Sequence, residues 1–528
     1  MKTMLDIIND NKNAFIKYFN STVTYHDFIE YVNGIAAQFS MYCDKNDTVA
    51  MISENIPQFI MCEYASWKNH CIFLPLSPLD SPIELEEKIQ FIKPKIIIIS
   101  SEFKDNFYNL EKYAKIIYTD PETFSKLPEN FENKFLNNNH IEELNLRKKP
   151  YFDLYNIDPD EIAVLMFTSG TTGRPKAAVI RHKNIYAASF IYKEWFNVHK
   201  NDVNLAIAPF FHITGLIFGI SLSVISNSAI AIDYRFDPDN ALKTIINNKT
   251  SITMFVATAY RSMINSWKNI SGIKRSLSSM RLWSSGGMPM PLKTENEWKV
   301  MTGEYIYMAY GLTESTSPLT LWEYPYNKKL KVYNTIVSSG KPVYYTIIRK
   351  GRDNELIANG PQVICEYYNN KIDTGNTFTA KGMKTGDIFY MDGDNYVYII
   401  DRKKDLIDIS GYKVWPAEIE NIIRQDNSVE DVVVVPKKDE YRGEIPVAYV
   451  KLFNGINMNN NIKDNLIALC KLKLSKYKIP EIKFIDKMPV SATGKIKRSD
   501  IYKIIGRESQ LPTTKGVGLS REGNARVD

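Results

Sequence analysis

The hydrophobic positions of this chain fall at two alternating spacings, which predict strands and helices in turn. Phe28, Val32 and Ile35 recur at helical spacing after Thr24, which is a favourable helix N-cap. Residues 94–100 instead form a short, nearly continuous β-branched run, which is typical of a buried strand. Because strand and helix patterns keep alternating beyond them, the sequence predicts an α/β fold rich in parallel sheet.

A charged stretch, Asp401–Asp408, separates this region from a shorter second pattern. Beyond it a helix is predicted from Pro416, and strands and a further helix follow. This succession predicts a small, mobile α+β domain of about 100 residues, which is a normal domain size. The predicted organisation is a large N-terminal α/β domain over 1–402, a hinge and a small C-terminal domain over 403–505, and a disordered tail over 506–528.

Composition narrows the classes of protein to which this chain can belong. With 528 residues the chain is too long for one ordinary core, and its 44% hydrophobic content indicates globular packing. The net charge of +6 is spread over intermixed acidic and basic residues, so nucleic-acid binding is not predicted. The five cysteines have no metal-ligand spacing, the N-terminus lacks a signal-peptide core, and the most apolar stretch, Leu216–Ile232, is interrupted by polar residues. We therefore expect a cytoplasmic protein without integral membrane association.

A loop rich in hydroxyl groups and glycine follows the apolar run Ile162–Phe167. It comprises Thr168–Lys176, in which Gly170 and Gly173 let the backbone come close to a ligand. The N–H groups, the hydroxyls and Lys176 of such a loop suit a polyphosphate. The loop lacks the glycine–lysine spacing of a Walker A sequence, so it predicts another kind of phosphate site. A solvent-exposed polar turn is the alternative.

Further polar positions follow other predicted strands. Thr313 and Glu314 come just after Tyr310, where a hydroxyl and a carboxylate suit phosphate and Mg²⁺ or simply cap a helix. Asp387 follows a predicted strand-to-turn change, and it could accept hydrogen bonds from two sugar hydroxyls. His212 lies among apolar residues and faces either a ligand cavity or, as is more common, the core. Each position is weak evidence when taken alone.

Taken together and in this order, these residues resemble those of the adenylate-forming superfamily, in particular its acyl-CoA synthetases. The resemblance runs from about Thr24 to about Tyr502. It implies that the protein uses ATP and Mg²⁺ to convert a carboxylic acid into acyl-AMP, with release of pyrophosphate. It also implies that the acyl group is then transferred to the thiol of coenzyme A and that AMP leaves.

The resemblance assigns ATP to residues from distant parts of the chain. Thr313 would contact the α-phosphate, Glu314 would hold Mg²⁺, and Asp387 with Arg402 would bind the ribose. The loop residues that would hold the β- and γ-phosphates are Thr168, Ser169, Gly170, Thr171, Thr172, Gly173 and Lys176. The adenine contacts would come from Gly287, Met288, Pro289, Tyr310 and Gly311.

The small domain would serve both half-reactions. Lys495 would reach the substrate carboxylate and the α-phosphate during adenylation, and Lys404 matches the hinge position between the large and small domains and would also bind the cofactor. The loop that would line the pantetheine tunnel begins with Ser410 and Gly411. The residues implied to be catalytic are Lys176, His212, Thr313, Glu314 and Lys495.

The acid would occupy a largely apolar pocket. Amino-acid-activating members carry an aspartate near the position of His212, and its absence here disfavours an α-amino acid. An aliphatic or aromatic acid fits instead. Ala177 and Met308 depart from the residues usual in the family, and the second departure lies against the expected pocket. The implied pocket residues are Phe211, His212, Val256, Ala257, Tyr260, Gly286 and Ala309.

Two alternatives to coenzyme A ligation stay open. The same adenylation could be followed by loading of the phosphopantetheine of an acyl-carrier protein. A non-catalytic nucleotide- or acyl-binding homologue is the second alternative, and the presence of Lys176, Glu314, Asp387 and Lys495 argues against it. The sequence leaves the oligomeric state open, with a homodimer as one option.

Overall fold

The computed structural model describes residues 2–502 apart from 107, 129–130, 132–141, 150–155, 169–174, 411, 440, 457, 491–495, 497 and 499. The chain divides into two compact units, of which the first runs to Leu406 and the second starts at Ile407. Each unit has a hydrophobic core of its own.

The largest sheet of the first unit has nine strands within the described residues. In spatial order they are Lys341–Pro342, Ser317–Leu321, Ile306–Leu312, Leu282–Ser285, Ile252–Phe255, Val203–Ala206, Ala229–Ile232, Ala14–Tyr18 and Ser21–Thr24. Neighbours from Ile306–Leu312 to Ala14–Tyr18 pair in parallel, and the outer strands are antiparallel. The carboxyl ends of the parallel strands therefore meet along one edge, where ligands of such sheets usually bind.

A second sheet, with six strands in the part of the chain described, is buried on both faces. In spatial order its strands are Lys115–Thr119, Ile96–Ser100, Thr48–Ile52, Ile72–Leu76, Ile162–Thr168 and Lys176–Arg181. Alternate residues of Thr48–Ile52 contact different cores, since Val49 and Met51 belong to one cluster and Ala50 and Ile52 to another. This two-sided burial explains the continuous apolar runs from which these strands were predicted.

A third sheet of the first unit is antiparallel. Its strands are Ile347–Lys350, Glu355–Asn359, Gly382–Met391, Phe378–Thr379 and Val397–Arg402, and a separate ribbon joins Val332–Tyr333 to Ile336–Val337. Asp387 lies inside Gly382–Met391, which comes after the strand Phe378–Thr379 and a turn at residues 380–381. Gly386 has φ of +72°, and the pairing register shifts after Ile388. This local irregularity lets the strand continue through a turn-like sequence.

The helix after Thr24 begins where its cap predicts. Thr24 accepts a hydrogen bond from the backbone N–H of Asp27 at 3.0 Å and starts the helix Tyr25–Phe39. A π-helix, Gly215–Ser221, and a short α-helix, Leu222–Ile225, occupy the first part of the apolar stretch Leu216–Ile232. The α-helices described in the first unit are Tyr25–Phe39, Pro57–Lys68, Pro82–Ile92, His182–Trp195, Leu222–Ile225, Pro238–Asn248, Ala257–Trp267, Ile273–Ser276, Leu292–Thr302 and Lys371–Thr377.

The second unit is a small α+β fold. Its strands are Tyr412–Val414, Ile407–Ile409, Gly443–Leu452, Val429–Asp439 and Glu481–Phe484, and its helices are Pro416–Ile423 and Asn460–Lys473. Of the charged stretch before it, Arg402 ends a strand of the first unit and Lys403–Asp405 forms a 3₁₀ turn. Among the described residues, no helix has both the length and the apolar character needed to span a bilayer.

Candidate active site

Predicted acid-pocket residues lie at or just after the ends of four neighbouring strands, along one edge of the nine-stranded sheet. Val256 follows Ile252–Phe255, Gly286 follows Leu282–Ser285, and Ala309 lies in the next strand. A Cβ built on Gly286 would lie 3.6 Å from the Cβ of Ala309 and 3.6 Å from the Sδ of Met254. These residues therefore lie in one apolar patch, to which Met254 belongs although the sequence did not single it out.

His212 lies in the loop after the fourth of these strands, Val203–Ala206. Its ring is half-buried, and its Nδ1 accepts a hydrogen bond from the backbone N–H of Thr214 at 3.3 Å. This contact requires a neutral imidazole to carry its proton on Nε2. Phe211, beside it, is almost fully buried. The loop thus presents one aromatic and one imidazole ring from the same strand end.

Tyr260 has surroundings unlike those of the other predicted pocket residues. It is fully buried, its hydroxyl donates to the carbonyl of Ser284 at 2.8 Å, and its ring packs edge-on against Trp298 at 4.9 Å. Burial raises the pKa of this hydroxyl well above its usual value. These contacts hold the ring and its hydroxyl within the core, and the contact of Tyr260 with the acid stays a prediction.

Tyr310, Asp387 and Arg402 form a side-chain network. One carboxylate oxygen of Asp387 accepts from the hydroxyl of Tyr310 at 2.7 Å, and the other accepts from Nε of Arg402 at 3.0 Å. Asp387 is buried, and its charge raises the pKa of Arg402. Burial, and then the nearby Asp387, raise the pKa of Tyr310. Each carboxylate oxygen keeps a further lone pair, so Asp387 can also accept from two vicinal hydroxyls such as those of ribose.

The backbone between Tyr310 and Ser317 is held in an unusual path. A Cβ on Gly311 would lie 1.7 Å from the carbonyl oxygen of Ser317, so only glycine fits there. Thr313–Ser315 forms a 3₁₀ turn, after which Thr316 and Ser317 have φ of +47° and +90°. Such conformations each cost roughly 1–3 kcal/mol and are often found at functional sites. This turn presents Thr313 and Glu314.

Glu314 is held by a residue that the sequence did not predict. The hydroxyl of Tyr367 donates to Oε1 of Glu314 at 2.7 Å, and the backbone N–H of Ile364 donates to the carbonyl oxygen of Glu314 at 3.0 Å. Burial, and then Glu314, raise the pKa of Tyr367. Both side chains line a cavity of about 270 Å³ that also includes Thr385 and Gly386. No local pattern around Tyr367 marks it as a partner of Glu314.

Mg²⁺ fits this arrangement only with oxygen ligands from a bound nucleotide and water. No cluster of three or more His, Cys, Asp or Glu side chains suited to a metal occurs in the described residues. Mg²⁺ usually takes one or two protein carboxylates and completes its shell with phosphate oxygens and water. A single carboxylate, that of Glu314, is therefore enough on the protein side.

The two ends of the hydroxyl-rich loop lie opposite each other in an antiparallel pair. Thr168 pairs with Lys176, and Nζ of Lys176 lies 3.0 Å from Oδ2 of Asp373. The pKa of Asp373 is lowered, because the effects of Lys176 and of a hydrogen bond from Asn370 exceed the opposing effect of burial. A polyphosphate bound here would compete with Asp373 for Lys176.

Several predicted residues have surroundings that test their roles little. After Gly287, Met288 is half-buried and Pro289 is exposed. Lys404 is also exposed. In the second unit, the N–H of Ser410 donates to the carbonyl of Arg442 at 2.8 Å. The predicted residues that lie outside the described part of the chain are Ser169, Gly170, Thr171, Thr172, Gly173, Gly411 and Lys495.

Two family models match the chain. One, for an AMP-binding enzyme, matches residues 9–366, and one for the AMP-binding enzyme C-terminal domain matches residues 418–495. A long-chain-fatty-acid–CoA ligase of Bacillus subtilis (strain 168) is 27% identical over 532 residues, covering 94% of this chain and 93% of the relative. A 2-succinylbenzoate–CoA ligase of Geobacillus sp. (strain WCH70) is 29% identical over 471 residues, covering 87% of this chain and 88% of the relative.

A solved structure of a CoA synthetase is similar to this chain in fold. The o-succinylbenzoate CoA synthetase of Bacillus subtilis, in complex with its acyl-adenylate intermediate, superposes with a TM-score of 0.76 at 25% identity. The match covers 93% of this chain and 95% of the solved one. These matches confirm the resemblance from which the site residues were predicted. The chain belongs to the AMP-binding enzyme family.

Proposed function

We propose that this protein is an AMP-forming acid–thiol ligase. It activates a carboxylic acid with ATP to give acyl-AMP and pyrophosphate, and then transfers the acyl group to coenzyme A. The network of Tyr310, Asp387 and Arg402 carries this proposal, because it offers a ribose site next to the turn that presents Glu314. The CoA ligases among the relatives, and the acyl-adenylate bound to a solved one, support the two steps.

The first step brings two anions together. A carboxylate oxygen of the acid attacks the α-phosphorus of ATP, and the bond from that phosphorus to the bridging oxygen breaks. Mg²⁺, when bound, reduces the repulsion and stabilises the charge that develops on pyrophosphate. Glu314 would hold it, while Lys176 leaves Asp373 for the phosphates. Such preorganised charges commonly supply a large part of the rate enhancement.

The second step needs a thiol rather than a second phosphate. The sulfur of coenzyme A attacks the acyl carbonyl, loses its proton, and expels AMP. The pocket residues Phe211, Met254 and Ala309 are apolar and nearly buried, which suits an aliphatic or aromatic acyl group. We propose the phosphopantetheine of a carrier protein as the alternative acceptor.

A panel of acids tests the proposal through acid-dependent exchange of ATP with labelled pyrophosphate. At least one apolar acid should support exchange, and coenzyme A should then stimulate release of AMP. Exchange with an acid, but release of AMP only with a carrier protein, would favour the alternative acceptor. Absence of exchange with every acid would contradict the adenylation itself.

Lys495 lies outside the described residues, and its role is proposed from the family resemblance. Lys495→Ala should slow adenylation by about 100-fold or more, as loss of a charge that stabilises a transition state commonly does. Thioester formation from supplied acyl-AMP should stay close to the wild-type rate. Single-turnover assays of each half-reaction measure the two effects, and equal losses in both would contradict the assignment.

A further inference from the structure

Asn55 links segments of two sheets, and these segments are far apart along the chain. It follows the strand Thr48–Ile52 of the six-stranded sheet and precedes the helix Pro57–Lys68. Its own N–H lies 3.3 Å from the carbonyl oxygen of Tyr234, which follows a strand of the nine-stranded sheet. Only 1% of its surface is exposed. The side chain is therefore buried where the two sheets meet.

The side-chain amide of Asn55 bonds to the main chain of the loop that leads to His212. Its Nδ2 donates to the carbonyls of Ile207 at 3.3 Å and Ala208 at 3.2 Å, and its Oδ1 accepts from the N–H of Phe210 at 2.8 Å. Two donors face two carbonyls and one acceptor faces an N–H, so the orientation of the amide is fixed. An aspartate would direct a carboxylate oxygen at the two carbonyls.

The same loop is clamped on its other side. The N–H of His212 donates to the carbonyl of Pro209 at 3.0 Å, and a Cβ on Gly215 would lie 2.1 Å from that same oxygen. The ring of Phe210 is fully buried against Phe59, with centroids 5.6 Å apart. Since the loop contains neither helix nor strand, these contacts decide where Phe211 and His212 lie.

We infer that Asn55 is a positioning residue for the acid substrate, an inference that rests on the proposed function of the site. It fixes the main chain of residues 207–210 and thereby the two rings that border the acid pocket. Its contacts do not include Tyr310, Asp387 or Glu314, so it should act on the acid and leave the nucleotide unaffected. The sequence carries no sign of this role, because Asn55 and Phe210 are 155 residues apart.

Gln58 provides a matched control on the same segment. Its side chain is fully buried, and its Nε2 donates to the carbonyl of Asp120 at 2.7 Å. Gln58→Ala therefore removes a buried amide and its hydrogen bond without touching residues 207–210. Any general effect of loosening this helix should appear equally in Gln58→Ala and Asn55→Ala.

The first experiment measures pyrophosphate exchange with the acid and ATP varied separately. Asn55→Ala should raise the KM for the acid about tenfold, since small displacements of substrate-contacting groups have effects of this size, and Asn55→Asp should raise it further. The KM for ATP should change less than about twofold. Gln58→Ala should keep both constants near the wild-type values. Equal shifts for acid and ATP, or equal effects of Asn55→Ala and Gln58→Ala, would overturn the inference.

A second experiment separates positioning from loss of folding and from failure of the proposed function. Amide hydrogen exchange in the intact protein should show faster exchange at Phe210 in Asn55→Ala but not in Gln58→Ala. In addition, His212→Ala should raise the acid KM less in the Asn55→Ala background than in the wild type. Unchanged exchange at Phe210 or fully additive effects would contradict the inference. A wild-type protein inactive with all acids would contradict the proposed function, whereas the hydrogen-exchange result would still decide whether Asn55 holds the loop.

Discussion

The nucleotide side and the acid side of the candidate site are built by different means. On the nucleotide side, Tyr310, Asp387 and Arg402 bond to one another through their side chains. On the acid side, Gly286, Ala309 and Met254 lie against one another through apolar surface, and Asn55 holds the main chain of the loop that carries Phe211 and His212. The first arrangement fixes directions of hydrogen bonds, whereas the second fixes only a volume.

This difference indicates how each side selects its ligand. Directed bonds reject a ligand that lacks a partner group, because a buried donor or acceptor is then left unpaired. An apolar volume discriminates weakly between acids that differ by a methylene group. We therefore expect strict use of ATP and a graded preference among acids.

The largest effect is expected from Asp387→Asn. The amide oxygen can still accept from Arg402 while the NH₂ group donates to the Tyr310 hydroxyl, but the amide offers one acceptor oxygen in place of two and carries no charge. We expect kcat/KM for ATP to fall about 100-fold, because Arg402 loses its charged partner and the ribose hydroxyls lose an acceptor oxygen. The KM for the acid should stay within about threefold. Pyrophosphate exchange with each substrate varied in turn measures both, and a larger effect on the acid than on ATP would remove the distinction between the two sides.

A smaller effect on the nucleotide side is expected from Tyr367→Phe. This change removes the hydroxyl that donates to Glu314 and leaves the buried ring in place. The Mg²⁺ concentration for half-maximal activity should rise roughly 20-fold, since partners of metal ligands usually have effects of this order. Titration of activity with Mg²⁺ at saturating acid tests this. An unchanged titration would show that the Tyr367 contact does not orient Glu314.

On the acid side, Gly286→Ala should act by volume alone. The added Cβ would lie 3.4 Å from the carbonyl oxygen of Ala309 and 3.6 Å from the Sδ of Met254, which is ordinary contact, so folding should be unaffected. The KM of the bulkier acids that the wild type accepts should rise about tenfold, and that of small acids should change little. Comparison of a graded acid series between the two proteins measures this. A uniform rise for all acids, or a change in the KM for ATP, would argue against a pocket at Gly286.

The residues of the nucleotide side were named from the family resemblance, and the structure brings Tyr310, Asp387 and Arg402 together through hydrogen bonds. The helix after Thr24 and the buried strand within residues 94–100 were predicted from spacing and a cap, and they agree with the structure. The sequence did not predict the partners that hold the site residues and their loop in place. Tyr367, Asp373 and Asn55 each act on a residue more than 50 positions away, and no local pattern records such a contact.

The strand Ile306–Leu312 carries Ala309 of the acid side and Tyr310 of the nucleotide side, and a buried carboxylate bonds to its first residue. A change at that carboxylate should alter stability without altering catalysis. Glu295 is fully buried, and its Oε1 accepts from the N–H of Ile306, the first residue of the strand Ile306–Leu312. Burial raises the pKa of Glu295 to about 8. Its second oxygen has no hydrogen-bond partner among the described residues.

The raised pKa fixes the sign of the pH dependence. Between its ordinary value of 4.5 and about 8, the folded protein keeps a proton on Glu295 that the unfolded chain has lost. The free energy of unfolding should therefore decrease as the pH rises through this window. Glu295→Gln removes the titration, so its stability relative to the wild type should grow by up to roughly 5 kcal/mol across this window. Thermal unfolding of both proteins between pH 5 and 9 should show a difference in stability that widens as the pH rises. The KM for ATP and the KM for the acid should each be the same in the variant as in the wild type. A gap that is constant with pH would mean that Glu295 is ionised in the folded protein.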